Sequence, residues 1–315
     1  GGIAAKSGDQ DVAWCFKYQT TELRKHDKIC GYVYTELDDI EWEHNGFVNY
    51  DRSAKEFGYD AYVPDMSVAD LNGADFVGCD APPCQSVRPD STVDLPVFVS
   101  HWGAPMVSAQ LRWQLDFIDR FGVKRTQESG MLDLKAQRFR VSHAGPLALT
   151  MPNEPGLATI ALALHDETGA IRARNYVNVE VRAEELPIAE KIEQGWAVRF
   201  APGAFSRTSW PRTFTDVAEA RFSATGSGWV EYRLALPTEI DRSQIASIRL
   251  KMEAGARAGF AKVDWPQKTF GLNYPQTEVE RKTPSDMTVI VNGIAVETVR
   301  LPDDPADARG VLSHH

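Results

Sequence analysis

The chain has 315 residues, a formal net charge of −10 and 43% hydrophobic residues, which correspond to a mass of 35.0 kDa. This length predicts roughly two or three globular domains. The acidic charge argues against a polyanionic partner such as nucleic acid. No apolar run approaches the ~20 residues that a membrane-spanning helix needs.

The first sixty residues predict a helix, a buried strand and a second, short helix. A loose helical period runs over residues 9–27 and ends in basic residues, which favour a helix C-terminus. Residues 29–37 form an apolar and aromatic run that is typical of a strand buried on both faces. Residues 51–60 predict a short helix anchored by Tyr59. This order is that of the end of a βα repeat.

An acidic and aromatic segment follows the predicted strand. Its five carboxylates within eight residues are Glu36, Asp38, Asp39, Glu41 and Glu43. Placed at the C-terminal end of a barrel strand, such a segment would suit a sugar, because aromatic faces stack on sugar rings and carboxylates accept hydrogen bonds from hydroxyls. The alternative is an ordinary strand followed by a hydrated acidic loop. The spacing fits no calcium-binding loop, and we expect neither a metal nor a cofactor.

Two stretches resemble glycoside hydrolase family 2, which includes β-galactosidases, β-glucuronidases and β-mannosidases. Residues Gly1-Gly2-Ile3-Ala4 are similar to the residues that follow the catalytic nucleophile in that family. The second stretch is similar to the last strand of its barrel, and the matching residues are Tyr34, Thr35, Glu36, Leu37, Asp39, Glu41, Glu43, Asn45, Gly46, Tyr50, Asp51 and Arg52. The resemblance implies that residues 1–62 are the incomplete C-terminal end of a catalytic (α/β)8 barrel.

The resemblance also assigns roles to residues. It implies that the nucleophile lies two positions before Gly1 and that the acid/base residue lies further upstream, so that this chain alone is inactive. A retaining glycosidase needs two carboxyl groups roughly 5–5.5 Å apart, and the resemblance argues against Glu36 and Glu43 as that pair. We expect a substrate-positioning set instead, which consists of Tyr34, Glu36, Trp42, Glu43 and Asn45.

Residue 43 bears on the charge of the substrate. β-Glucuronidases of the family carry Asn-x-Lys before the glycine that matches Gly46, and the lysine contacts the sugar carboxylate. Here the corresponding residues are Glu43-His44-Asn45. A glutamate at this place would repel a uronic acid, which favours neutral β-hexosides as substrates.

The middle of the chain predicts a connector and then a β-sandwich. Residues 63–92 have little periodicity and predict an extended connector. Cys79 and Cys84 lie in it, close enough in sequence for a disulfide, which would favour a secreted or periplasmic protein. From residue 93 the hydrophobic period becomes two, and the predicted strands are 93–102, 110–116, 136–142, 157–164 and 171–182. This spacing predicts an immunoglobulin-like β-sandwich over residues 93–183, with Trp113 in its core.

Residues 184–315 predict a third domain. Alternating segments precede a hairpin over residues 287–299, whose turn is Asn292-Gly293. The pattern resembles a galactose-binding-like jelly roll, a fold often appended to glycosidases, and we expect it to be truncated. Trp265 lies in a long loop, where it is a candidate for contact with a glycan, whereas Trp196 and Trp229 are expected in the core.

Together these observations predict a mixed fold with a barrel end, a sandwich and a jelly roll. The predicted function is the C-terminal part of a retaining β-glycosidase that hydrolyses neutral β-hexosides, with a β-galactosidase-like substrate as the first choice. The alternative is a non-catalytic protein built from β-sandwiches, which binds carbohydrate or serves as a scaffold.

Overall fold

The structure, a computed structural model, falls into two compact units, Gly1–Ala183 with Lys251–His315, and Glu184–Leu250. It describes residues 12–40, 45–49, 51–55, 57–82, 84–183, 188–193, 195–211, 213–215, 222–224, 226–252, 254–255, 259–260, 282–283 and 285–301. Among these residues, no helix combines the length and the apolar character needed to cross a membrane.

The N-terminal part contains two helices, α1 (Val12–Arg24) and α2 (Val68–Asn72), with one 3-10 turn between them at Tyr59–Ala61. Helix α2 begins at a capping box, in which the Ser67 hydroxyl accepts from the Ala69 N–H and the Asp70 carboxylate accepts from the Ser67 N–H. At the end of α1, Arg24 donates to the carbonyl oxygens of Gly73 and Ala74, each at 2.9 Å. These bonds fix α1 beside the chain that enters the first strand.

Eight strands form a two-sheet sandwich. They are β1 (Asp75–Cys79), β2 (Cys84–Val87), β3 (Thr92–His101), β4 (Ala109–Asp119), β5 (Lys124–Leu134), β6 (Arg140–Thr150), β7 (Gly156–Asp166) and β8 (Ile171–Val181). One sheet has the order β1-β3-β6 and the other has the order β2-β8-β7-β4-β5. All pairs are antiparallel except β2 with β8, which is parallel.

The sandwich core follows from the alternation of side chains along its strands. On β4, residues Leu111, Trp113, Leu115 and Phe117 are buried while the residues between them are more exposed at Arg112 and Gln114. Burial of such a side chain stabilises the fold by about 1.5–3 kcal/mol. Trp113 lies against Gly130 of β5, where a Cβ atom would come within 2.7 Å of the indole ring. The glycine therefore makes room for the tryptophan.

A second group of buried side chains, here the docking cluster, joins the N-terminal part to the sandwich. Its members are Phe16, Tyr59, Val63, Met66, Leu71, Phe76, Phe98 and Tyr176. Phe76, Phe98 and Tyr176 come from sandwich strands, and the others come from α1, α2 and the intervening loops. The Tyr59 hydroxyl donates to the carbonyl oxygen of Ala13 at 2.6 Å, which links the 3-10 turn to α1.

The remaining described strands occur as two-stranded pairs. The second unit contains β9 (Ala189–Ile192) with β10 (Gly195–Val198), β11 (Arg207–Thr208) with β14 (Val230–Glu231), and β12 (Thr213–Thr215) with β13 (Phe222–Ala224). Later residues form β15 (Gly259–Phe260) with β16 (Lys282–Thr283), and β17 (Ser285–Val291) with β18 (Ile294–Leu301). The predicted hairpin is present, and its turn residues Asn292 and Gly293 have φ of 50° and 83°.

The predicted end of an (α/β)8 barrel is wrong, and so is the mixed fold of which it is part. The described residues form mostly β-sheet with two α-helices, and no barrel strand is present. Residues 29–37 form no strand, and Val33 and Leu37 are 95% and 63% exposed. The Leu37 carbonyl is instead bonded by the nearby residues Phe47 and Val48. Without a neighbouring strand, the apolar run has no ladder to join.

The structure also describes three other features of the chain. The predicted connector, residues 63–92, contains α2, β1 and β2, because strands this short carry little periodicity. The described part of the predicted jelly roll, residues 184–315, shows two-stranded pairs in place of two facing sheets. Cys79 and Cys84 are thiols and no disulfide joins them, which removes the argument for a secreted or periplasmic protein.

Candidate functional site

The predicted substrate-positioning segment folds back on itself. The Tyr34 hydroxyl donates to the Asn45 carbonyl oxygen, and the Asn45 side-chain amide donates to the Thr35 carbonyl oxygen at 2.6 Å. The backbone N–H groups of Phe47 and Val48 both donate to the Leu37 carbonyl oxygen, at 2.8 and 3.0 Å. Residues 34–37 and 45–48 therefore lie side by side, although ten or eleven positions separate their hydrogen-bonded residues.

The buried carboxylate of Asp39 stabilises the turn that brings these two segments together. It is 4% exposed, and its Oδ1 accepts from the Gly46 N–H at 2.9 Å and from the Lys55 ammonium at 2.7 Å. A Cβ atom at position 46 would lie 2.4 Å from the Asp39 backbone nitrogen, so only glycine fits there. Asp39 thus has the turn-forming role that suits a short acidic side chain, and its carboxylate is occupied by Lys55.

Aromatic rings attach the segment to the docking cluster. Tyr34 stacks on Phe47, with ring centroids 4.3 Å apart and an interplanar angle of 16°. Phe16 of α1 meets the edges of both rings, with centroid distances of 5.1 Å. Burial, and then the charges of Asp39 and Cys15, raise the pKa of Tyr34. The phenol is therefore a neutral hydrogen-bond donor at neutral pH.

The structure brings together three of the six residues predicted to contact a sugar, which are the five of the substrate-positioning set and Trp265. Tyr34 and Asn45 are directly bonded, and Glu36 follows Thr35, which accepts from the Asn45 amide. One carboxylate oxygen of Glu36 is buried, and Asn45 Oδ1 is buried without a hydrogen-bond donor among the described residues. The other three predicted residues, Trp42, Glu43 and Trp265, lie outside the described residues.

Two tryptophans differ from expectation. Trp196 and Trp229, predicted in the core, are 38% and 48% exposed. Trp196 lies on β10, whose only strand partner in the described residues is β9. The Trp229 ring lies 5.9 Å from the guanidinium of Arg207. Strand-like alternation did not guarantee burial here, because a two-stranded pair offers little surface for packing.

A buried polar network in the sandwich was not predicted. Asp75 accepts from the Gly103 N–H at 3.0 Å and from Arg172 at 2.6 Å, and lies 2.7 Å from His101 Nδ1. Burial by itself would raise the pKa of Asp75, but the bonds to His101 and Gly103 and the charge of Arg172 lower the pKa overall. The network joins β1, β3 and β8, and its partners are too distant in sequence for spacing to reveal them.

The described residues of this segment, 34–40 and 45, include both hydrogen-bond donors and acceptors. Glu36 and Asn45 Oδ1 are acceptors, the Tyr34 hydroxyl and one N–H of the Asn45 amide donate within the segment, and Asp39 is engaged by Lys55. The described residues contain no group of three or more histidine, cysteine or acidic side chains that could hold a metal ion. The arrangement can therefore orient a polyhydroxylated ligand through paired donors and acceptors.

No family model matches the chain, and no curated protein matches it. Partial structural likenesses include the sporulation control protein Spo0M from Bacillus subtilis, with 16% identity, coverage of 36% of this chain and 51% of that chain, and a TM-score of 0.26. A family 123 glycoside hydrolase from Clostridium perfringens has 11% identity, coverage of 33% and 23%, and a TM-score of 0.25. A β-galactosidase, described as putative, from Bacteroides fragilis has 12% identity, coverage of 41% and 19%, and a TM-score of 0.24. The chain spans about half the length of the first of these and less of the other two, and likeness at this level identifies no family.

Proposed function

We propose that the chain is a non-catalytic part of a retaining β-glycosidase that acts on neutral β-hexosides, with a β-galactosidase-like substrate as the first choice. Residues 34–45 would contribute groups that position the sugar. The observation that supports this proposal is the hydrogen-bonded pairing of residues 34–37 with residues 45–48, which holds Tyr34, Glu36 and Asn45 on neighbouring segments.

The chemistry of these groups matches that of a sugar. A hexose presents hydroxyls that both donate and accept, and Asn45 offers an amide that does the same. A buried acceptor without a donor costs about 1–3 kcal/mol, and Asn45 Oδ1 has no donor among the described residues. A hydroxyl that donates to this oxygen would recover part of that cost. Glu36 provides a charged acceptor on the neighbouring segment.

The acidity of the segment favours a neutral sugar. Glu36 lies on one of the paired segments and Glu43 follows in sequence, whereas Asp38 and Asp39 are paired with Arg52 and Lys55. A uronic acid would meet like charges here, and loss of even one favourable charged hydrogen bond costs about 1.5–3 kcal/mol. That difference corresponds to roughly tenfold or more in affinity.

A second candidate function is that of a scaffold. The docking cluster buries Phe16, Tyr59 and Tyr176 at the junction between the N-terminal part and the sandwich. This contact supports a role in which the sandwich holds the N-terminal segment in place and binds no sugar itself. A folded chain without affinity for any hexoside would favour this candidate.

The two candidates are separated by a binding measurement on the 315-residue chain. We expect weak binding of methyl β-galactoside by saturation-transfer NMR, weaker binding of methyl β-glucuronide, and no hydrolysis of aryl β-hexosides. Asn45→Ala should weaken the binding of the neutral sugar several-fold, because it removes the amide that bonds the hydroxyl. The matched control is Asn153→Ala, since Asn153 is exposed on a turn of the sandwich. Equal binding by both variants, or preference for the glucuronide, would contradict the proposed site.

A further inference from the structure

Three loops lie at one end of the sandwich and are bonded to one another. Here called the loop end, and taken with the first residues of β6 and β8, they comprise residues 102–108, 135–140 and 167–171. The Val107 N–H donates to a Glu167 carboxylate oxygen at 3.0 Å. Arg138 Nε donates to the Gly103 carbonyl oxygen at 2.8 Å, and the Gly103 N–H donates to the buried Asp75. The loop end is therefore held in one shape before any partner binds, which lowers the entropy cost of association.

Each of the three loops exposes an apolar side chain. Val107, Phe139 and Ile171 are 89%, 53% and 42% exposed. Single exposed apolar residues are common on soluble proteins and need no partner to explain them. The backbone conformation of Phe139 and the charges beside it distinguish the loop end from such ordinary surface.

Phe139 has a backbone conformation that a phenylalanine rarely adopts. Its φ is 61°, in the left-handed region, where glycine and asparagine are usual and a bulky side chain is unfavourable. The guanidinium carbon of Arg138 lies 4.4 Å from the centroid of the Phe139 ring, and the Trp102 ring centroid lies 5.9 Å from it. More than half of Phe139 stays exposed, so burial within the chain does not account for an aromatic residue here. Such conformations cluster at binding sites, and aromatic residues are enriched at interfaces.

The loop between β5 and β6 is positively charged within an acidic protein. Residues 134–153 contain Lys135, Arg138 and Arg140 and no aspartate or glutamate, whereas the whole chain has a net charge of −10. All three cations are exposed. Arg138 uses its Nε for Gly103, and no described residue engages its two terminal nitrogens, which form the fork that binds a carboxylate. Arg140 lies 3.6 Å from an Asp27 oxygen, and an exposed pair of this kind is weak.

We propose that the loop end is a docking surface for an acidic peptide segment of a partner protein. Carboxylates of the segment pair with Arg138, Arg140 and Lys135, and an apolar side chain packs against the exposed ring of Phe139. Two features favour a peptide over a nucleic acid. The net charge of −10 repels a polyanion at long range, and the aliphatic side chains of Val107 and Ile171 match apolar side chains of a peptide.

The first test measures the binding of a fluorescein-labelled synthetic peptide, in which single leucines alternate with pairs of glutamates, to the full chain by fluorescence anisotropy. At low salt we expect binding, and roughly tenfold or more weaker binding when glutamines replace the glutamates. The double variant Arg138→Gln with Arg140→Gln should weaken the acidic peptide to a similar extent, because charged hydrogen bonds are lost. Arg182→Gln is the control, at an exposed arginine beyond the far end of β8. Equal affinity for the two peptides, or equal affinity of the wild type and the double variant, would overturn the proposal.

The second test separates contact by Phe139 from a purely structural role. Phe139→Asn removes the ring and suits the left-handed backbone, so the Tm should stay unchanged or rise while the acidic peptide binds several-fold more weakly. Phe121→Asn is the matched control, because Phe121 also lies beside an arginine, 4.9 Å from Arg120, but follows β4 at the other end of the sandwich. It should keep the wild-type affinity.

Two results of this test would overturn the proposal. One is wild-type affinity in Phe139→Asn, since the exposed ring would then make no contact with the peptide. The other is tighter binding of a labelled single-stranded oligonucleotide of equal charge than of the acidic peptide, since the surface would then suit a nucleic acid.

Discussion

Asp75 links three strands of the sandwich through one buried carboxylate. It is 3% exposed and contacts His101, Gly103 and Arg172, so that the beginning of β1, the end of β3 and the beginning of β8 meet at one point. Replacement of a whole buried ion pair by apolar residues is often neutral for stability. Removal of one partner alone is destabilising, because the remaining charge is then buried without a counter-charge. The contribution of this network to the free energy of unfolding is therefore tested by a substitution of Asp75 itself.

We expect Asp75→Asn to lower the free energy of unfolding by about 1–3 kcal/mol, because a neutral amide replaces the buried carboxylate that pairs with Arg172, while Arg172 keeps its ion pair with Asp166. The folded-state pKa of Asp75 lies below its ordinary value of 3.8, so its stabilising contribution is present above that value and is lost as the pH falls through the folded-state pKa. Urea unfolding at a series of acidic pH values should thus show that the free energy of unfolding falls less steeply with decreasing pH in Asp75→Asn than in the wild type. Asp94→Asn, at an exposed position of β3, is the control, and an acid loss equal in all three proteins would contradict this role.

Gly46 provides a second test at a single residue. Gly46→Ala would place a Cβ atom 2.4 Å from the Asp39 nitrogen, whereas Gly31→Ala would meet nothing within 4 Å. We expect the first change to separate residues 45–48 from residues 37–39 at a cost of about 1–3 kcal/mol. Amide hydrogen exchange should accelerate at Asp39, Phe47 and Val48 in Gly46→Ala and stay unchanged in Gly31→Ala. Equal exchange in both variants would refute the close packing described here.

At the scale of elements, the attachment of α1 depends on a few aromatic side chains. Phe16 is 4% exposed and meets the ring edges of Tyr34 and Phe47. A change of a buried phenylalanine to alanine typically costs about 3–5 kcal/mol. Much of this loss should appear as local opening, because the sandwich has a core of its own.

We therefore expect Phe16→Ala to release α1 and residues 45–49 while β4 and β7 keep their protection. The measurement is amide hydrogen exchange on the full chain. Phe200→Ala is the control, since Phe200 contacts Tyr232 in the second unit, with ring centroids 4.8 Å apart. Acceleration of β4 and β7 to the same extent as α1 would show that the two parts unfold as one.

The elements also show which sequence signals were informative. Strands β3, β4, β7 and β8 were predicted within a few residues, because each has long stretches with one buried face. The edge strand β5 and the strands β1 and β2 were missed, because β5 has no buried residue along its length and β1 and β2 have only five and four residues. Residues 29–37 misled the interpretation, since an apolar run does not reveal whether a neighbouring strand exists. The hydrogen bond between Tyr34 and Asn45 could likewise not be predicted from the spacing of residues, because it depends on a turn that Asp39 stabilises.

At the scale of the whole molecule, the two units differ in how much apolar surface they bury. The sandwich core contains 22 buried residues, whereas Ala197 is the only buried hydrophobic side chain among the described residues of the second unit. Because hydrophobic burial is the dominant favourable term in folding, the units should differ strongly in stability.

We expect this difference to appear in urea as two separate transitions. Amide protection of β9–β14 should disappear at low urea, and protection of β3, β4, β7 and β8 should persist to higher concentration. Pulse-labelling hydrogen exchange across a urea series measures both. A single transition shared by all these strands would mean that the second unit is stabilised by contacts beyond those described.

The parallel pair of β2 and β8 has a mechanical consequence. Four residue pairs join these strands, from Cys84 opposite Asn178 to Val87 opposite Val181. A force that pulls the beginning of β2 and the end of β8 apart acts along both strands in opposite directions, so the hydrogen bonds between them are loaded in shear and must fail together. An antiparallel pair pulled from adjacent ends would instead open one bond at a time. Tension applied between Cys84 and Val181 would thus be resisted by all four residue pairs of this edge at once.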